Sequence, residues 1–186
     1  MKRIFDISLS ILLILLLIVP MFLVAAMVRL NSKGPSLYWS NRVGKNNIIF
    51  MMPKFRSMNQ NTAPLASHLM EDINIISTPF GRFIRRTSID ELPQLYSVLK
   101  GDMSLVGPRP ALFNQDDLIK LRTEKGLERT LPGITGWAQV NGRDNLSIEN
   151  KVILECEYLN HQSFWFDLKI LWMTFIKVFH SHGVSH

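Results

Sequence analysis

Residues 7–28 are apolar throughout except for Ser8 and Ser10. A run of this length matches the roughly 20 residues that a helix needs to cross a bilayer, so the chain must place it in lipid or find a core to cover it. Lys2 and Arg3 precede the run, and Arg29, Lys33, Arg42 and Lys45 follow it. Basic flanks favour the cytoplasmic side of a membrane, and here both ends carry them. Pro20 falls inside the run, where a missing N–H bends a helix. A helix that bends at Pro20 and returns to one face satisfies both observations; a straight, tilted span is the alternative. The run exceeds the usual apolar core of a signal peptide, and no small-x-small site precedes Arg29. A retained, re-entrant membrane helix is expected over residues 1–30, with residues 31–186 as a cytoplasmic, membrane-associated domain.

The chain of 186 residues carries a net charge of +6, which suits phosphate-bearing partners: anionic lipid, nucleotide or nucleic acid. No nucleic-acid reading motif accompanies the charge, so nucleic acid is not expected as a partner. Cys156 is the only cysteine, which excludes an internal disulfide and a cysteine-based metal cluster. Neither a dinucleotide-binding nor a P-loop glycine motif is present.

The most informative short stretch is Arg85-Arg86-Thr87-Ser88-Ile89-Asp90-Glu91-Leu92-Pro93-Gln94-Leu95. Pro93 suits only the first turn of a helix, so a helix through Leu95, Val98 and Leu99 should begin near Asp90. Ser88 and Glu91 have capping-box spacing. Asp90 would then stand at a helix N-terminus, where the dipole favours its ionised form and attracts phosphate. An ionised carboxylate is a candidate nucleophile toward phosphorus, and the Asp90-Glu91 pair is a candidate magnesium site. The plainer reading is that both residues only cap a helix.

Around this stretch lie further cations. Lys54 and Arg56 alternate with Phe55, so on a strand they would share a face and could clamp phosphate oxygens. Arg109 is held between Pro108 and Pro110. Arg143 closes the glycine-rich segment 132–143, whose Asn141-Gly142 pair also reads as a hairpin turn. Two extended runs joined by a basic turn at 41–47, a loop at 59–64, a short helix at 65–72, a turn at 78–81, and helices at 114–128, 148–160 and 163–179 complete an irregular α/β fold, a small sheet packed with helices. The aromatic-rich last helix could lie in the membrane interface or pack under the domain.

Four motifs in order, Lys54-Phe55-Arg56-Ser57-Met58, Thr87 to Gln94, Ser104 to Pro110 and Pro132 to Arg143, behind an N-terminal apolar helix, identify a resemblance. The chain resembles the bacterial monotopic phosphoglycosyl transferases, the polyprenyl-phosphate sugar-1-phosphate transferases, and is most similar to their minimal bacillosamine-phosphate transferase type. The resemblance implies a re-entrant helix breaking at a Ser-Pro pair, although Val19 stands here where that serine would be. It implies that Asp90 is the nucleophile that attacks a UDP-sugar, releasing UMP and leaving a phosphosugar-aspartate that undecaprenyl phosphate then attacks. It further implies Glu91 as partner at Mg2+, Arg85, Arg109 and Arg143 as anion-binding residues, Lys54 and Arg56 in a further motif, and a place on the cytoplasmic face of the bacterial inner membrane. An N-acetylated UDP-hexosamine is the expected donor. Two other readings remain at this level: a non-enzymatic membrane-anchored module that binds anionic lipid or nucleotide, and a membrane-tethered phosphohydrolase with water as acceptor.

Overall fold

The apolar run forms a single helix, α1 (Lys2–Asn31), in a computed structural model that describes residues 1–58, 77–142 and 145–180. It is long and apolar enough to cross a membrane. Leu12, Leu15, Leu16, Val19, Phe22 and Leu23 are exposed along it. Its other side packs on the domain. Phe5, Leu9, Leu13 and Ile14 join one core cluster, and Met21, Val24, Ala25 and Val28 join another. The helix runs through Pro20 without interruption, so the expected bend is not a break in the helix.

Both ends of α1 are tied to the same domain. Lys2 Nζ donates to Asp167 Oδ2 at 2.6 Å and to the Val106 carbonyl at 3.1 Å. Arg3 donates to the Val98 and Leu99 carbonyls at 2.6 and 3.0 Å. Buried Asp6 accepts from Ser104 Oγ at 2.8 Å. At the other end, Arg56 Nη2 donates to the Ser32 carbonyl at 2.9 Å and to Ser32 Oγ at 2.8 Å. Lys2 and Arg3, which the sequence assigns to a membrane flank, are thus used within the protein.

Among the described residues the domain is mixed α/β with two small sheets. β1 (Leu37–Val43) and β2 (Ile49–Phe55) form an antiparallel hairpin, and β4 (Ala111–Leu112) pairs with β1, giving the order β2-β1-β4. β3 (Ser104–Val106) and β5 (Gly133–Thr135) pair in parallel. The hairpin turn uses Asn46 and Asn47 at φ 55° and 59°, a left-handed conformation that asparagine tolerates better than most residues.

Six helices follow α1 among the described residues: α2 (Pro79–Arg86), α3 (Gln94–Lys100), α4 (Asp116–Glu124), α5 (Trp137–Asn141), α6 (Ile148–Asn160) and α7 (Phe164–His180). The expected turn at 78–81 is instead the start of α2: Thr78 Oγ1 accepts from Gly81 N at 2.9 Å and Pro79 fills the first turn. The helix expected to reach Glu128 stops at Glu124, before Gly126 at φ 74°. The Asn141-Gly142 hairpin does not form; Asn141 ends α5, its Nδ2 donating to Trp137 O at 2.8 Å. The expected loop at 59–64 and helix at 65–72 lie outside the described residues.

The main core gathers Phe50 and Met52 of β2, Leu95 and Val98 of α3, Met103, Leu105 and Val106 around β3, Tyr158 of α6 and Ile170 of α7. One face of α7 therefore packs under the domain, while Trp165, Trp172 and Phe175 stay exposed on it. Phe164 meets Phe5 edge-on at 5.1 Å, which joins the start of α7 to the start of α1.

Candidate active site

Asp90 and Glu91 lie on a single 3-10 turn, Ile89–Glu91, between α2 and α3. Ile89 and Leu92 pack against the cluster of Val28, Phe55 and Ile84 that also receives Met21, Val24 and Ala25. The turn is thus seated on the C-terminal half of α1, and its two acidic residues are 8% and 9% exposed.

The capping box is absent. Ser88 has a left-handed backbone, φ 57°, and its side chain makes no cap; Glu91 N bonds the Ser88 carbonyl at 3.2 Å instead. The Glu91 side chain is engaged elsewhere. Lys54 Nζ donates to Glu91 Oε1 at 2.8 Å, and Arg109 donates to Oε1 at 2.8 Å and Oε2 at 3.5 Å. α3 begins only at Gln94, so Asp90 lacks the helix-terminal stabilisation expected from the sequence. Burial dominates and pushes its carboxyl up to about 6; Lys54, Arg85 and Arg109 oppose the shift, and the charge of Glu91 adds to it. Burial also lowers Lys54, against the pull of Glu91.

The structure brings Lys54, Arg85 and Arg109 together around the pair. It adds Arg42 of β1, which sequence reasoning missed as a site residue. Its guanidinium is lowered to about 10 by burial and then by Arg109, with Glu91 pulling the other way. The only signal was its place at the start of the basic turn, next to a motif-bearing strand. Arg56 does not join the cluster. β2 ends at Phe55, so strand alternation no longer aims the next side chain, and Arg56 binds the Ser32 carbonyl instead. Arg143 lies outside the described residues. Four cations face two carboxylates, an arrangement that suits polyanions such as diphosphates.

A family model described as bacterial sugar transferase matches residues 1–181. The chain belongs to the bacterial sugar transferase family. One similar relative is an uncharacterised sugar transferase, EpsL, of Bacillus subtilis, 43% identical over all of this chain and 90% of that protein. A second is an undecaprenyl-phosphate glucose phosphotransferase of Komagataeibacter xylinus, 44% identical over 93% of this chain and 35% of its own length. A third is a UDP-N-acetylgalactosamine-undecaprenyl-phosphate N-acetylgalactosaminephosphotransferase of Aeromonas hydrophila, 36% identical over 98% of this chain and 44% of its own length. The sugar transferase therefore spans less than half the length of the two relatives with a named substrate.

Among the described residues no group of three or more His, Cys, Asp or Glu side chains could hold a metal. That does not argue against magnesium in a sugar transferase site, because Mg2+ is commonly held by one or two carboxylates with water and substrate phosphate completing its shell. Asp90 fits such a role: it is a buried hard-oxygen donor whose ionised form burial disfavours, so a cation beside it restores the charge.

Proposed function

We propose that this sugar transferase moves a sugar-1-phosphate from a UDP-sugar to undecaprenyl phosphate through a covalent intermediate on Asp90. The observation that carries the reading is the buried Asp90-Glu91 pair ringed by Lys54, Arg85, Arg109 and Arg42 and seated on α1. The names of the relatives support the reaction class. Of the possible donors, an N-acetylated hexosamine is our reading, with a plain hexose the competitor.

Ionised Asp90 attacks the sugar-linked phosphorus, the bond to the bridging diphosphate oxygen breaks, and UMP departs with the electron pair. A phosphate oxygen of the lipid then attacks the same phosphorus and releases the Asp90 carboxylate. No net proton is needed at either step. A carboxyl near 6 is ionised at neutral pH yet more basic than an ordinary aspartate, which favours it as a nucleophile. Arg109 and Lys54, fixed by Glu91, would neutralise charge as it builds on the phosphates. Asp90 and Glu91 would hold Mg2+, which when bound offsets diphosphate charge and polarises the phosphoryl group; the hydrogen bonds of Glu91 to Lys54 and Arg109 must then be shared.

The anchorage of α1 supports a membrane arrangement. A helix tied to one domain at Lys2, Arg3 and Asp6 and again at Ser32 has both ends on that domain's side. Its exposed apolar side and the aromatics of α7 would enter one leaflet from the cytoplasmic face. The helix would thus be re-entrant by anchorage of its ends, with the dyad near the depth of a lipid phosphate.

The test is incubation of the full chain with Mg2+, undecaprenyl phosphate and a panel of UDP-sugars, with Asp90→Asn as control. UMP release that needs Asp90 and stops on chelation is expected. Release of UDP would mean glycosyl transfer and sink the aspartyl-phosphate mechanism.

A further inference from the structure

The segment Pro108-Arg109-Pro110 delivers the Arg109 side chain to Glu91 at 2.8 Å. Two of its three residues lack an N–H, so its backbone is fastened mainly through carbonyls, and all three are taken. Pro108 O accepts from Gly133 N of β5 at 2.8 Å. Pro110 O accepts from Arg42 Nη1 of β1 at 3.3 Å. Arg109 O accepts from Arg122 Nη2 of α4 at 2.9 Å.

The third donor is itself locked. Arg122 Nε donates to Glu155 Oε2 at 2.8 Å, and its Nη2 also meets Glu155 Oε1. The two side chains are 11% and 2% exposed. A planar guanidinium can grip a carboxylate with one edge and still direct an N–H to a carbonyl; a lysine ammonium has no such fixed fork. The pair spans α4 and α6, and its outlet at this point is the backbone of Arg109. A buried ion pair is weak evidence for stability in itself, which leaves its geometry to be explained.

We propose that Arg122, oriented by Glu155, is a positioning residue for Arg109 and so for binding of the substrate diphosphate. The activity readout rests on the transferase reading above; the binding readout does not. The experiment uses the full chain and follows three quantities: affinity for UDP by calorimetry, kcat/KM for UMP release, and melting temperature. The charge-swapped double variant Arg122→Glu with Glu155→Arg keeps two opposite buried charges but removes the donor to Arg109 O. It should melt close to the parent, while UDP affinity and kcat/KM fall about tenfold or more, in line with the cost of small misplacements. Arg122→Lys keeps the charge and covers the case in which the swap does not fold. It should weaken UDP binding in the parent and cause no further loss when Arg109 is already alanine.

A charge-swapped chain with parental UDP affinity and kcat/KM would overturn the proposal. So would an Arg122→Lys loss of equal size with and without Arg109, because a merely structural role is indifferent to that side chain. If the parent binds UDP but releases no UMP from any sugar, the transferase reading falls and the affinity cycle still decides this one. A parent that neither binds UDP nor releases UMP overturns both.

Discussion

Two of the buried carboxylate sets among the described residues are built on opposite principles. At the start of α1, Asp167 takes Lys2 on Oδ2 and the Tyr158 hydroxyl on Oδ1 at 2.7 Å, while Asp6 takes Ser104 Oγ and the Leu105 amide. Those oxygens have dedicated partners, and the set closes on itself. At the Ile89–Glu91 turn, Asp90 and Glu91 share Lys54, Arg85, Arg109 and Arg42, so positive charge is in excess. Burial does not separate the sets, since Asp6 and Asp167 are buried more deeply than Asp90 and Glu91. What separates them is charge balance. The closed set anchors a helix; the open one has capacity left for phosphate.

The sharpest way to break this contrast is Asp90→Asn. Loss of the proposed nucleophile should lower the proposed UMP release by on the order of 10³-fold or more. The folded chain should melt no lower than the parent, because a buried charge with a raised carboxyl has been removed. An unfolded or inactive-but-destabilised variant would make the dyad an anchor like the other set. Arg109→Ala comes next, with an expected fall of ~10²–10³-fold in kcat/KM, the usual cost of one preorganised donor; unchanged kinetics would deny Arg109 a place on the substrate.

The pH profile sharpens the comparison further. In the proposed mechanism Asp90 must be ionised to attack, so kcat/KM should fall about tenfold per pH unit below an apparent value near 6. Stability moves the other way. A carboxyl raised in the folded state costs stability above about 6, and that cost is relieved as pH falls toward 4. Asp90→Asn should abolish this contribution to melting, which a titration of Tm against pH would detect. The smallest effect belongs to the closed set. Asp167→Asn leaves Lys2 without its ion pair and should cost about 1–3 kcal/mol. Each kcal/mol lowers Tm by ~2–4 °C in a chain of this size, while activity per folded molecule stays within a few-fold. A large kinetic loss with unchanged melting would show that the anchor also serves the chemistry.

Much of this was legible in the residues. The long apolar helix followed from an apolar run, and the hairpin from two extended runs about a basic turn; the adjacent carboxylates beside Pro93 are both buried on one turn. The misses share a cause. Ser88 and Glu91 had the spacing of a capping box, but Lys54 and Arg109, distant in sequence, outcompete a local amide for the Glu91 side chain. Arg56 followed Lys54 in alternation, but the strand ends between them. Lys2 and Arg3 read as membrane flanks, and nothing local announced Asp167 or the carbonyls of Val98 and Leu99 as their partners.

The sequence by itself determined most of the kinds of element and singled out Asp90 and Glu91 as the pair to propose, because periodicity, proline placement and chemical type are local properties. Only the tertiary structure decided which cations reach that pair, that both ends of α1 fasten to one domain, and that burial rather than a helix dipole governs Asp90. Those outcomes are contests between partners separated along the chain, settled by distance and desolvation once the core has closed.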